Sequence, residues 1–518
     1  MTRDGSGPMT PGGDRQGRAG PREWVGLVVL MLPVLLISVD MTVLGFAVPY
    51  LSEELRPSGP QLLWIVDIYS FLLAGLLVTM GTVGDRIGRR RLLLMGTAGF
   101  GVASLMAAYA PDAATLIAGR ALLGVAGATL MPSTLSLLRN MFHDERQRLF
   151  AIATWGSAFS AGAALGPIIG GWLLEHFWWG SVFLINLPVT VVTLVVAPLL
   201  VREYRDPSPG RFDIPSVVLS MLAILPVVYG VKTVAKRGLA VTPILTIAFG
   251  LLVGYLFVRR QKKLADPMID VGLFRIRRFS VAIGTDLMVV FALTASLFLI
   301  PQYLQLVQGL TPLRAGLLLL PGAALAIGAG FVVAAAARHV GMATLIAFAL
   351  VLAALGFVVL VWLPPSHGVL VASVAFVLVS FGEGSVMTLT NNTMLSTVPP
   401  ERAGAASAIS ETAIEFGGAL GVAVLGSLAT AVYQTELTSV PGVDETRMEA
   451  ARETLGGALV TAREVGGPAG QALADAARAA FTDSIHVTSA IGAGLLLYAA
   501  LQAWVLLRPE RATARSGR

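Results

Sequence analysis

Six acidic residues lie inside long apolar stretches of this sequence, where an ionised side chain is energetically costly. One basic residue, Arg120, is placed in the same way. A low-dielectric but water-accessible interior lets a carboxylic acid take up and release a proton near neutral pH, and lets a carboxylate attract cations. For each acid the simpler alternative is a structural pairing with a base or with backbone groups. The six acids are Asp40, Asp67, Asp286, Glu383, Glu411 and Glu415.

The acids differ in their surroundings. Glu411 and Glu415 are four residues apart and therefore share one face of a helix, where ionising both is unfavourable. Asp286 and Glu383 fall nearer to span ends or to faces of small residues. Aromatic residues in the spans either line a pocket for flat cations or pack against lipid and other helices. They are Trp64, Tyr69, Trp155, Phe159, Phe298, Tyr303, Phe376 and Phe381.

Several other chemistries are excluded by what the sequence lacks. There is no cysteine, and the five histidines fall in loops or at span ends, so thiol catalysis and an intramembrane histidine relay are not expected. No glycine is followed by lysine, so there is no phosphate-binding loop of the Walker type. We find no converging nucleophile, base or metal ligands. The sequence therefore predicts a non-enzymatic protein that uses an ion gradient, with no cofactor, no metal and no nucleic-acid partner.

The elements that must position these residues are membrane-spanning helices. The chain is 55% hydrophobic and 13% charged, about half the charge of a soluble protein. Apolar runs of about 20 residues are long enough to cross a bilayer, and they are continuous rather than alternating, which excludes a β-barrel. They predict an all-α polytopic protein with fourteen spans: 25–51, 61–81, 92–110, 114–138, 148–174, 181–201, 213–232, 242–258, 280–305, 313–336, 341–363, 368–395, 403–432 and 485–507.

The charge distribution predicts the orientation and the domains. With both termini cytoplasmic, 27 of the 37 lysines and arginines fall on the cytoplasmic side. The cytoplasmic link, residues 260–279, is expected to act as a hinge and to form in part a surface-lying helix. The extracellular loop, residues 433–484, either caps the last two spans or is solvated. The predicted parts are a disordered tail 1–23, a six-helix bundle 24–202, two inserted helices 212–259, a cytoplasmic link 260–279, a six-helix bundle 280–507 with an extracellular loop 433–484, and a tail 508–518.

Two glycine-rich segments complete the pattern. The turn between the second and third spans combines glycines with charged residues: Gly81, Gly84, Asp85, Arg86, Gly88, Arg89 and Arg90. It is either a plain topogenic cluster or a more specific element. In the fifth span, glycines at every fourth position leave one bare helix face, and a proline offers a bend. These residues are Gly162, Gly166, Pro167, Gly170 and Gly171.

Taken in order, these motifs resemble those of the major facilitator superfamily, and in particular its 14-helix drug:proton antiporters. The turn at 81–91 is similar to the superfamily's signature loop, and GAALGPIIGG resembles its antiporter motif. RALLGVAGA, which contains Arg120, resembles the motif linked to proton transfer. The segments around Asp40, Asp67 and Glu411 resemble the first, second and thirteenth helices of that family.

The resemblance implies two pseudo-symmetric six-helix bundles that rock about a midplane cavity, with two helices inserted between them. It implies a monomeric inner-membrane multidrug exporter that exchanges protons for lipophilic cations such as quaternary ammonium compounds and dyes, and fluoroquinolones as a further class. Proton exchange falls to Asp40 and Asp67, tuned by Arg120, while Glu411 and Glu415 bind the cation or share the coupling. Asp85 is predicted to latch the second helix to a neighbour. The tenth span has no acid, unlike relatives that export dications.

Other functions remain open at this stage. A dedicated exporter of one self-made antibiotic or metabolite fits the same residues. Proton-coupled uptake conflicts with the Gly-Pro motif of the fifth span, and a sensor would need an output domain that the short tails cannot supply.

Overall fold

The computed structural model describes residues 19–142, 144–205, 213–237, 240–264, 267, 269–398 and 403–508. Most of the two predicted tails lies outside these ranges, and the side chain of Asp85 is also outside the described part. The helices are α1 (Pro21–Glu54), α2 (Gly59–Ile87), α3 (Arg89–Ala108), α4 (Ala113–Met141), α5 (Glu145–His176), α6 (Ser181–Leu184), α7 (Asn186–Leu200), α8 (Ile214–Arg237), α9 (Val241–Gln261), α10 (Arg277–Gln302), α11 (Pro312–Ala336), α12 (Met342–Val361), α13 (Val369–Ser396), α14 (Ala403–Gly421), α15 (Ser427–Glu436), α16 (Glu445–Glu453), α17 (Leu455–Val465) and α18 (Gly467–Leu506).

The spans are helical because a helix satisfies its own backbone hydrogen bonds where no water can do so. Thirteen stretches in the described part are long and apolar enough to cross a membrane, with α6 and α7 forming one of them and α14 and α15 another. The 32-residue helix α5 is the fourteenth. The all-helical, 14-span fold predicted from the sequence is therefore confirmed.

The spans form two bundles around close contacts between small residues. In the first bundle α1 packs on α5, and α4 packs on both α2 and α3; in the second, α13 packs on α11 and α12, and α10 on α14. A Cβ atom added at Gly382 of α13 would lie 2.7 Å from the carbonyl oxygen of Ala349 on α12. Such backbone proximity is the usual means of helix association in lipid, where the hydrophobic effect does not drive contact.

The inserted helices α8 and α9 pair with each other and cover one seam between the bundles. Phe71 of α2 packs against Ala419 and Ala423 of the second bundle, and Ile224 and Leu225 of α8 pack against the same cluster. This seam therefore has a third helix on its outer side.

In the part of the link after α9 that the structure describes, only a short stretch is helical. It contains a 3-10 turn, Val271–Arg275, rather than a longer surface helix. At its start, Arg260 donates two hydrogen bonds to Asp213, of 2.7 and 3.1 Å, which join the ends of α8 and α9. These bonds hold the pKa of Asp213 below its usual value.

The predicted extracellular loop is a packed helical cap. Helices α16 and α17 form a hairpin whose Met448, Leu455 and Ala458 are buried, and α18 begins at Gly467, well before the predicted start of the last span. The hairpin also contacts the other bundle, because a Cβ at Gly456 would lie 2.6 Å from the Cβ of Ser52 at the end of α1. Of the two alternatives for this segment, the structure shows the cap.

Candidate functional site

The centre of the first bundle is a buried ion pair between α1 and α4. Arg120 donates through Nη1 to the Oδ2 atom of Asp40, and both side chains are 1% exposed. The Nε–H of Arg120 donates to the carbonyl oxygen of Ile65 at 3.2 Å. The guanidinium lies 4.7 Å from the ring centroid of Tyr69 and 5.9 Å from that of Phe183. A buried pair needs this kind of additional bonding to offset the loss of hydration.

Two glycines of the RALLGVAGA motif bring α4 close enough to α2 to build this arrangement. A Cβ at Gly124 would lie 2.5 Å from the backbone oxygen of Tyr69, and one at Gly127 would lie 3.3 Å from its hydroxyl oxygen. Asp67, 1% exposed, lies on α2 between Ile65 and Tyr69. The structure therefore pairs two of the three residues predicted for proton coupling, Asp40 and Arg120. The third, Asp67, is buried on α2, two residues from both Ile65 and Tyr69, which contact Arg120.

The second bundle presents acids of a different kind at the interface. Glu415 on α14 is 2% exposed, and neither carboxylate oxygen has a hydrogen-bond partner. Glu411 lies one turn before it and is half-buried. One turn further on, Ala419 packs against Phe71 of α2, so this helix face is directed towards the first bundle.

Asp286 and Glu383 lie on helices α10 and α13 of the second bundle. Asp286 of α10 is 1% exposed and accepts a hydrogen bond from the hydroxyl of Thr390 on α13. Glu383, also on α13, is half-buried. The bond across α10 and α13 fits the structural alternative for Asp286.

The glycines of the fifth span separate into two faces. Cβ atoms at Gly162 and Gly170 would lie 2.8 Å from the Leu35 oxygen and 2.9 Å from Val43, both on α1. Gly166 lies against Thr42 on the same face. Gly171 faces the second bundle, since its Cβ would lie 2.6 Å from the Cα of Leu313.

The Gly-Pro step also meets the second bundle. The carbonyl oxygen of Pro167 lies 2.5 Å from the position of a Cβ at Gly316 on α11. The motif thus serves packing inside one bundle and contact between the two.

The turn between α2 and α3 is held by an acid that the sequence analysis missed. Gly88 has φ +112°, and the Glu203 carboxylate lies against it, 2.7 Å from the position of a Cβ. Glu203 accepts from the backbone N–H groups of Arg90 and Arg91 at 2.9 and 3.1 Å, which satisfies the start of α3. The sequence signal for this role of Glu203 was the presence of an acidic residue directly after the sixth span, within a basic stretch.

The basic residues of the turn satisfy the backbone around them. Arg90 donates to the carbonyl oxygens of Pro198 and Val201 at 3.2 and 3.1 Å, at the end of α7. Arg89 is buried and its Nη1 lies 3.4 Å from the Pro132 oxygen. Gly81 and Gly84 precede it on α2, with Arg86 half-buried beyond them. In the described part of the chain, three or more potential metal ligands do not come together anywhere.

Comparisons with known proteins give matches along most of the chain. The family model described as Major Facilitator Superfamily matches residues 30–422. The chain is 48% identical to the multidrug efflux pump LfrA of Mycolicibacterium smegmatis, with 95% of this chain and 97% of that protein covered. It is 36% identical to the methyl viologen resistance protein SmvA of Salmonella typhimurium, with 94% and 98% covered.

A solved structure shares the fold at much lower identity. The bacterial homologue of the human lysosomal transporter Spinster, in its inward-facing and unoccupied conformation, superimposes with a TM-score of 0.67 at 18% identity. The match covers 96% of this chain and 100% of that one.

Proposed function

Because the chain belongs to the Major Facilitator Superfamily and is a transporter rather than an enzyme, we propose that it exports lipophilic cationic drugs in exchange for protons. The protein acts as a monomer in the cytoplasmic membrane, with both termini on the cytoplasmic side. The names of its relatives support this class of substrate, since one is a multidrug efflux pump and another is a methyl viologen resistance protein.

One observation carries the proposal: a charge-paired acid and an unpaired acid lie in different bundles that meet at one interface. Asp40 is compensated by Arg120, whereas Glu415 has no hydrogen-bond partner. A proton that neutralises Asp40 releases Arg120 from its pair, which leaves an uncompensated positive charge within the first bundle. A cation neutralises Glu415 directly. The two acids can thus bind different ions, as exchange requires.

The exchange proceeds by alternating access. The bundles are joined near the outer end of the spans, where Gln305 donates to the Phe46 oxygen at 3.3 Å and the Leu313 N–H to Glu175 at 3.3 Å. In the proposed cycle a cation enters from the cytoplasmic side and binds at Glu415. Rocking of the bundles breaks the outer contacts, protonation from outside favours release of the cation, and loss of the proton inside resets the site.

Ethidium efflux from proteoliposomes, with an imposed pH gradient, tests this function. Collapse of the gradient is expected to stop net ethidium export. Export that continues unchanged after the collapse would show that protons do not drive the transport. Uptake of the dye along the same gradient would instead favour proton symport.

A further inference from the structure

The inserted helix α9 has one face that is exposed along its length. Apolar side chains on this face recur at intervals of three or four residues and are between 43% and 62% exposed: Leu245, Phe249, Leu252 and Leu256. The opposite face is buried, and a Cβ at Gly250 would lie 2.7 Å from the Ala223 oxygen of α8. In a helix that spans a bilayer, an exposed apolar stripe of this spacing faces the lipid.

Cations continue the lipid-facing stripe at the end of α9. Arg259 lies three residues after Leu256 and therefore on the same side of the helix. Lys262 and Lys263 follow directly after the helix end, and all three basic side chains are exposed. In the described part of the chain, none of the three has a hydrogen-bond or ion-pair partner. They are therefore placed at the level of the lipid headgroups, with their charges available.

The two residues next to Arg259 are used inside the protein instead. Arg260 is bonded to Asp213 at the start of α8. Gln261 donates to the Ser216 hydroxyl at 2.6 Å and accepts from the Ile269 N–H at 3.3 Å. These bonds fix the end of α9 and the beginning of the link, so the side that carries Arg259 is held in a defined orientation.

The link places further cations beside an exposed aromatic ring. In its 3-10 turn, Phe274 is 41% exposed and its carbonyl oxygen accepts from the Ser280 hydroxyl at 2.5 Å. The ring meets that of Phe279 edge to face, with 5.7 Å between the centroids. Arg275 and Arg278 are exposed on either side of this pair in the sequence. Aromatic rings next to basic residues are typical of the headgroup region of a membrane.

The density of unpaired cations distinguishes the link from other basic positions at this end of the spans. Arg22, for example, donates to the Leu199 oxygen at 2.7 Å. The acid of the link that the structure describes, Asp270, accepts from the Gly272 N–H at 2.9 Å. A cluster of about four to eight cations directly beyond a span is typical of a surface that binds anionic lipids. The cations without a partner among the described residues are Arg259, Lys262, Lys263, Arg275 and Arg278.

We propose that the end of α9 and the link form a binding surface for anionic phospholipids. Arg259, Lys262 and Lys263 bind the phosphate groups, Phe274 lies among the headgroups, and the acyl chains follow the exposed stripe of α9. Lysine and arginine are only donors, which suits the acceptor oxygens and the negative charge of a phosphate diester. With the proposed orientation, these lipids belong to the inner leaflet. The surface is separate from the proposed cation site, so its test does not depend on the proposed function.

The experiment compares two quencher lipids around the full-length protein. The chain has no cysteine, so Tyr255→Cys gives one labelling position, on the exposed side of α9 and one turn before Arg259. The labelled protein is reconstituted in phosphatidylcholine vesicles with a small fraction of nitroxide-labelled phosphatidylglycerol or nitroxide-labelled phosphatidylcholine. The anionic lipid is expected to quench the fluorophore as though it were about fivefold or more enriched, the factor for one cation near an anionic headgroup.

Neutralising the cations should abolish this enrichment. Arg259→Gln/Lys262→Gln/Lys263→Gln in the labelled protein is expected to make the two lipids quench equally. Quenching by labelled phosphatidylcholine should not change, because α9 keeps its place in the bilayer. High salt should lower the enrichment in the protein that retains the three cations, since exposed charges are screened.

A matched control separates the cluster from general surface charge. Arg139→Gln/Arg202→Gln/Arg338→Gln removes three exposed cations that lie near three separate helix ends, and it should keep the enrichment. Equal quenching by the two lipids before any cation is removed overturns the proposal. The same loss of enrichment in both triple variants also overturns it, because the basic residues of the link would then act only through the overall charge of this side.

Discussion

The two bundles hold their intramembrane charges in opposite ways. In the first, Asp40 and Arg120 form a pair that is closed off from solvent and supported by the Ile65 oxygen and two aromatic rings. The spans of the second carry four acids, and its bases lie in links or near helix ends. A paired acid changes its surroundings when it is protonated, whereas an unpaired acid attracts a cation. The difference supports the proposed division of labour, in which the first bundle exchanges the proton and the second binds the substrate.

The largest expected effect comes from breaking the pair in the first bundle. Arg120→Ala leaves Asp40 buried without its partner, a loss of several kcal/mol in comparable buried pairs. Gradient-driven ethidium export should fall by about 100-fold or more, with a lower yield of folded protein. The loss of export is measured as the rate of ethidium efflux per folded molecule in proteoliposomes.

The double variant Asp40→Asn/Arg120→Gln serves as the control for that loss. It removes both charges together, so it should recover much of the folded yield without recovering gradient-driven export. Full export by the double variant would show that the pair is a structural feature only, and the contrast between the bundles would lose its functional meaning.

The next effect distinguishes two acids of the second bundle. Glu415→Gln removes an unpaired carboxylate and should weaken ethidium binding about tenfold, as expected for one ionic contact in a partly shielded site. Asp286→Asn is the matched change at an acid that already accepts from Thr390, and it should alter binding less than about threefold. Fluorescence titration of each purified variant with ethidium measures these changes in affinity. Equal losses at the two positions would place the cation elsewhere.

A smaller effect tests the rigidity of the first bundle. Gly88→Ala places a Cβ against the Glu203 carboxylate and forces a residue with a side chain to φ +112°, at a loss of about 1–3 kcal/mol. Its thermal unfolding midpoint should fall, with transport slowed a few-fold. Gly81→Ala is the control, since its Cβ would be 3.9 Å from the nearest atom. If the two variants behave alike, the contact with Glu203 does not hold this turn.

The smallest effect concerns the ion pairs that join the bundles at the cap. Arg56 with Glu464, and Arg463 with Glu53, are each 2.9 Å apart but largely exposed. Such pairs contribute about 0–1 kcal/mol and are screened by salt. The double variant Glu464→Gln/Glu53→Gln should change ethidium efflux less than about twofold, and high salt should abolish the difference. A tenfold change would make the cap a principal contact between the bundles.

The sequence predicted the architecture well because span length and charge are properties of the chain itself. Continuous apolar runs and the placement of arginine are enough to obtain fourteen helices and their order. The cap was only partly predicted, because short polar helices carry no bilayer-length signal and depend on contacts such as that of Gly456 with Ser52.

The sequence predicted which residues belong to the site, but it did not predict which of them contact each other. Asp40 and Arg120 are 80 residues apart, and no local pattern says that they pair while Glu415 stays unpaired. Glu203 was missed since its role arises only when the end of α7 reaches the start of α3.

The proposed division of roles between the two bundles is tested most directly by measuring ethidium counterflow and gradient-driven efflux in the same proteoliposomes. Counterflow requires binding and alternation but no net proton movement. Asp40→Asn should lose gradient-driven efflux and keep counterflow, whereas Glu415→Gln should lose both. Normal gradient-driven efflux in Asp40→Asn, or normal counterflow in Glu415→Gln, would contradict the account.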